Sequence, residues 1–168
     1  MARSRLFLAL LASVLLWTSL GEAWAVPSAP SAPVAIAEAN IGRGETFADN
    51  SGPWVERYTR GSRVAWCAAF VSYVYKEAGY RIPYTLRARD FLKIGERRSK
   101  PVAGDVVVFR RGSTMGHVAI IVKVVDAKNF WVIEGNHGRF PAKVKRSFVS
   151  IGERGREVLG FIHIGSEK

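Results

Sequence analysis

Apolar and polar positions follow two different rhythms along this chain. Residues 67, 70, 71, 74 and 78 are apolar or small, the i, i+3, i+4, i+7, i+11 stripe of a helix packed on a core. Gly79 suits the position just past that helix's end. Upstream, residues 36–60 read as two helical pieces broken around A-D-N-S-G-P, with Asp49, Asn50 or Ser51 placed to cap the second and Pro53 to open it. Thr85 to Arg98 reads as a short amphipathic helix with Leu86, Phe91 and Leu92 inward. From Gly104 the rhythm changes to β-branched runs: G-D-V-V-V-F (104–109), G-H-V-A-I-I-V-K-V-V (116–125), N-F-W-V-I-E-G-N (129–136), V-K-R-S-F-V (144–149) and V-L-G-F-I-H-I (158–164). D-A-K-N joins the second and third as a hairpin connection. Helices first and roughly five hairpin-linked strands afterwards predict an α+β domain, N-terminal helices packed on an antiparallel sheet.

The first 25 residues have a different character. Arg3 and Arg5 precede an apolar stretch from Leu6 to Leu20, and Ala23-Trp24-Ala25 supplies a small-x-small cleavage pattern. That three-part layout predicts a secretory signal peptide over 1–25. The apolar stretch is shorter than the ~20 residues of a spanning helix, so a secreted or periplasmic product is expected, without a stable membrane anchor. Val26 to Ala35 is a Pro/Ala/Ser spacer, expected to be extended, and the folded domain is expected over 36–168. The chain has 25 Lys and Arg against 14 Asp and Glu. Without residues 1–25 the balance is 23 against 13, which favours anionic partners: cell-wall polymers, lipopolysaccharide, acidic membrane surfaces or nucleic acid. The basic residues are scattered and no nucleic-acid module accompanies them, so no nucleic-acid partner is expected.

The chain has one cysteine, Cys67, in V-A-W-C-A-A-F-V. It cannot form an internal disulfide. A free cysteine often serves as a small buried hydrophobe, and an odd thiol in a secreted chain can pair between molecules. A helix starting at Trp66 or Cys67 would place the thiol in the first turn, where free N–H groups and the helix dipole stabilise a thiolate. A start capped by Ser62 would remove that advantage. A nucleophilic thiol needs a base, and the base needs an orienting group. Of the three histidines, His117 lies at the mouth of a strand, His137 in a loop and His163 within a strand. Ala119, two residues beyond His117, leaves room for a helix on that face. Glu134 and Asn136 are two apart, and so are expected on one face of the neighbouring strand. Together they make a candidate Cys-His-acid/amide constellation.

The blocks A-W-C-A-A-F-V-S-Y-V, A-G-D-V-V-V-F-R-R-G, G-H-V-A-I-I-V and I-E-G-N-H-G resemble, in order, those of the CHAP family of cysteine, histidine-dependent amidohydrolases/peptidases. The resemblance implies a papain-like fold and hydrolysis of peptidoglycan amide bonds. It implies Cys67 as nucleophile, His117 as base, Glu134 as the group that orients the ring, and Asn136 as a fourth polar member. No cofactor is expected. Residues 57–66 have no carboxylate, so the calcium loop of some members is not expected here, calcium sites usually including carboxylates. The rival readings are a non-catalytic wall-binding module and a papain-like amidase or transferase acting on a non-wall amide.

Overall fold

The computed structural model describes residues 30–165, so the signal-peptide reading lies outside the described residues. Three helices, α1 (Ala32–Ala39), α2 (Pro53–Thr59) and α3 (Cys67–Glu77), precede a short 3-10 helix (Ala88–Lys93). Strands β1 (Glu96–Arg98), β2 (Val106–Arg111), β3 (Met115–Val124), β4 (Asn129–His137), β5 (Lys143–Ser150) and β6 (Val158–His163) follow. They form one sheet in the order β1-β6-β2-β3-β4-β5, every pair antiparallel. This is the expected α+β class with one strand more than expected. The extra strand is β1, taken from the run expected to be helical through Arg98. Gly95 explains the change, because a Cβ there would come within 2.2 Å of the His163 carbonyl oxygen, so only glycine lets this segment lie against β6.

The first helix begins at Ala32, four residues before the expected domain start. Proline is tolerated in a first turn, and Pro33 and Val34 are buried, so the end of the Pro/Ala/Ser stretch is packed helix rather than extended spacer. The second helix opens at Pro53 as expected, but its cap is Gly52 at φ 125°, with no side-chain cap. Ser51 bonds the Ala48 carbonyl instead. Gly79 follows α3 at φ 84°.

The sheet has two apolar faces, and only one meets the helices. Val106, Val108, Val118, Ile120 and Ile133 pack with α1, α2 and α3. Val107, Phe109, Ala119, Ile121, Phe130 and Phe161 form a second core made mainly of strand residues. Phe130 on β4 and Phe161 on β6 meet edge to face at 5.7 Å although two strands lie between theirs in the sheet. Only a strongly coiled sheet permits that contact. Ala119 therefore does not make room for the helix, contrary to expectation. It lines the inner core, and α3 packs over the opposite face.

Candidate active site

Cys67 is the first residue of α3. Trp66 precedes it at φ −109°, ψ 13°, a non-helical cap residue with no side-chain cap. The Ser62 N–H bonds the Thr59 carbonyl at the end of α2, so the alternative early start does not occur. The amides of Cys67, Ala68 and Ala69 are left without the acceptors a preceding turn would supply. Trp66 is fully buried and anchors this start. It stacks on Tyr58 at 5.7 Å, and its indole N–H reaches Glu45 Oε1 at 3.4 Å. Glu45 Oε2 also accepts the Ala142 N–H at 2.7 Å, tying the helix start to the approach of β5.

Cys67 and His117 line one cavity, and the His117 ring and the Val118 and Ala68 backbone amides all favour the thiolate. Burial alone would raise its pKa, but the bond to His117 and the charge of that ring dominate, and it lies below the ordinary value. His117 is 6% exposed, stacked on its cross-strand neighbour Phe109 at 6.3 Å. Its Nε2 meets Glu134 Oε2 at 2.6 Å, which leaves Nδ1 for the thiol. Burial would lower the imidazole pKa, yet its bonds to Cys67 and Glu134 raise it to about 9. The thiol and the ring each favour the charged form of the other.

Glu134 is fully buried. Burial opposes its ionisation, but the bonds from His117, Arg156 and Ser147 hold it well below the usual carboxylate range. Arg156 forks onto it, Nη1 to Oε2 at 3.1 Å and Nη2 to Oε1 at 3.0 Å. Such a paired geometry fits a carboxylate and is among the stronger hydrogen-bonded arrangements. The guanidinium also lies 5.3 Å from the Phe109 ring centre. Arg156 arrives from the turn between β5 and β6. Sequence reasoning missed it, because an arginine in I-G-E-R-G-R-E carries no periodic or motif signal.

Asn136 does not share a face with Glu134. The β4–β5 register shifts between Glu134 and His137, and Asn136 adopts φ 54°. The two-residue alternation is lost at this bulge. As a result His137, read from sequence as a loop residue, ends β4 and brings Nδ1 to 2.9 Å from Glu134 Oε1. Burial keeps its pKa below the ordinary value, outweighing the pull of Glu134. Asn136 instead lines the cavity that also contains Cys67, His117 and Arg111. Gly135 is sterically required, since a Cβ there would meet Trp66 and Phe70 at 2.8 Å. The third histidine lies apart: His163 Nδ1 bonds Asp105 Oδ1 at 2.8 Å.

The CHAP domain family matches residues 58–136, a span that contains Cys67, His117, Glu134 and Asn136. Among solved structures, the chain is similar to the peptidoglycan hydrolase RipB from Mycobacterium tuberculosis, with 17% identity and a TM-score of 0.52 over 82% of this chain. It spans 64% of that protein. It is also similar to the P60 domain of an antigen from M. avium subspecies paratuberculosis, with 14% identity and a TM-score of 0.51 over 82% of this chain and 94% of that one. These likenesses are of fold. No curated protein matches the chain. Arg156 lies beyond the matched segment.

Proposed function

We propose that the chain, whose residues 58–136 match the CHAP domain family, is a cysteine hydrolase of peptidoglycan amide bonds, exported by its N-terminal signal peptide. One observation carries the reading: the thiol that opens α3 shares a cavity with a histidine whose Nε2 is 2.6 Å from a buried glutamate forked by Arg156. Cys67 is the nucleophile and His117 the general acid and base. Glu134 orients the ring and stabilises the imidazolium. Asn136 is a polar wall of the cleft rather than a partner of Glu134.

The thiolate adds to the scissile carbonyl carbon, and the carbonyl electrons move onto oxygen. Amides at the start of α3 left without intrahelical acceptors can stabilise such an oxyanion. When the C–N bond breaks, the His117 imidazolium gives its proton to the leaving nitrogen and a neutral amine departs. Water then adds to the thioester, His117 takes its proton, and the C–S bond breaks to release the acid and the thiolate. No step uses a metal or cofactor. The net positive charge of the chain complements an anionic wall, and the peptidoglycan hydrolase among its structural neighbours agrees with this substrate class. Incubating the protein without residues 1–25 with purified peptidoglycan and reading new chain ends by mass spectrometry tests the proposal. New amine and carboxyl ends are expected. An unaltered wall would overturn it.

A further inference from the structure

Two cavities meet at Cys67, and both are lined by Ala65, Cys67 and Gly116. One, of about 440 Å³, continues past His117, Asn136, His137 and Arg111. The other, of about 310 Å³, continues past Leu86, Arg87, Asp90 and Met115 and does not include His117. The reaction assigns their roles. The leaving nitrogen must receive a proton from His117, so it occupies the side on which that ring stands. The acyl group, joined to sulfur, occupies the other.

The two halves differ in charge. The ionisable groups of the acyl half have both signs: Asp90 Oδ2 takes the Thr85 hydroxyl at 2.6 Å, Arg89 bonds the carbonyls of Met115 and Gly112, and Arg87 is exposed beside Asp90 with no side-chain partner among the described residues. The amine half has no carboxylate in its lining. Its fixed charge is Arg111, the exposed last residue of β2. Among the described residues, Arg111 has no ion-pair or side-chain hydrogen-bond partner, whereas its neighbour Arg110 is paired with Glu157 at 2.7 Å. An unengaged guanidinium at the leaving-group side is a fork for a carboxylate.

We propose that the substrate is an amide whose amine-side residue bears a free carboxylate, and that Arg111 binds it. The inference rests on the amide-hydrolase reading above. A terminal and a side-chain carboxylate offer the same chemistry.

Soluble stem-peptide fragments of the wall, used as prepared and after carbodiimide conversion of their carboxylates to carboxamides, supply the test. The enzyme should cleave the untreated fragments with about tenfold higher kcat/KM, a preference typical of one charge-assisted pairing. Arg111→Gln should bring the ratio close to one, while Arg87→Gln should keep it. Fragmentation of the preferred amine product identifies which carboxylate is bound. Equal rates on both fragment sets, or a preference lost in Arg87→Gln and retained in Arg111→Gln, would overturn the inference and leave the hydrolase reading intact. If nothing is cleaved, the hydrolase reading fails. Calorimetric binding of the same fragments to the Cys67→Ala protein then decides the inference: tighter binding of untreated fragments that depends on Arg111 sustains it, and any other result ends it.

Discussion

Arg156 meets Glu134 with both arms of its guanidinium, 3.1 Å to one carboxylate oxygen and 3.0 Å to the other. A fully buried carboxylate without that fork would keep only His117, His137 and Ser147 as partners. Losing one partner of such a pair costs about 3–5 kcal/mol, because the other charge stays buried and unmatched. Arg156→Met should lower stability by about 3 kcal/mol in urea unfolding and reduce kcat/KM. Arg156→Lys restores the charge without the fork, so it should recover most of the stability and little of the rate. Equal rates in both variants and wild type would remove Arg156 from the site.

Cys67→Ser should lose at least about 10³-fold in kcat, as removal of a nucleophile from such a unit does. The fold should persist, since the substituted side chain keeps its size and place. Assay against peptidoglycan, with a circular dichroism control, checks both parts.

The proposed mechanism requires Cys67 ionised and His117 protonated. With the His117 pKa raised to about 9, the rate should fall as pH rises through that value. Glu134→Gln removes the charge that sustains the imidazolium, so the alkaline limb should move to lower pH, with about 10²-fold lower rate. An unmoved limb would show that Glu134 is not acting through His117. Stability has the opposite sign. The Glu134 pKa is depressed, so its contribution is present above the ordinary carboxylate pKa of about 4.3 and is lost as pH falls. Glu134→Gln should therefore show a flatter stability profile in acid.

Gly135→Ala should disturb the nucleophile from beneath. Its methyl group would press on Trp66 and Phe70, both fully buried. Overpacking of this kind costs about 1–3 kcal/mol, and because Trp66 precedes Cys67 the loss in kcat should exceed what unfolding alone explains. Rate and melting temperature measured together separate the two effects.

The three histidines should rank by their distance from the thiol. His117→Gln should inactivate. His137→Gln should reduce the rate by less, since it removes one bond to Glu134. His163→Gln should act on stability alone, through Asp105. Melting and rate measurements on the three variants test the order.

Much of this geometry was legible in the residue pattern. The stripe through 67, 70, 71 and 74 located α3, and the β-branched runs located five of the strands. The short β1 was hidden because three residues after an apolar helical pattern carry no period of their own. Asn136 was misplaced because alternation assumes an unbroken strand, and a left-handed residue at φ 54° breaks it. Arg156 was invisible for a different reason. It reaches Glu134 only because the chain turns back between β5 and β6, and no local pattern encodes a contact 22 residues away.

The position of β6 governs when the fold around the proposed site is complete. This last strand lies between β1 and β2, which are made before it, and its Phe161 closes the inner core on Phe130. Chains emerge from the ribosome N-terminus first, so Cys67, His117 and Glu134 all exist before Arg156 and β6 are synthesised. Until the turn between β5 and β6 folds back, Glu134 has no guanidinium partner. In the proposed mechanism, the ion pair that holds His117 in place is complete only after the chain beyond β5 has folded back onto β4.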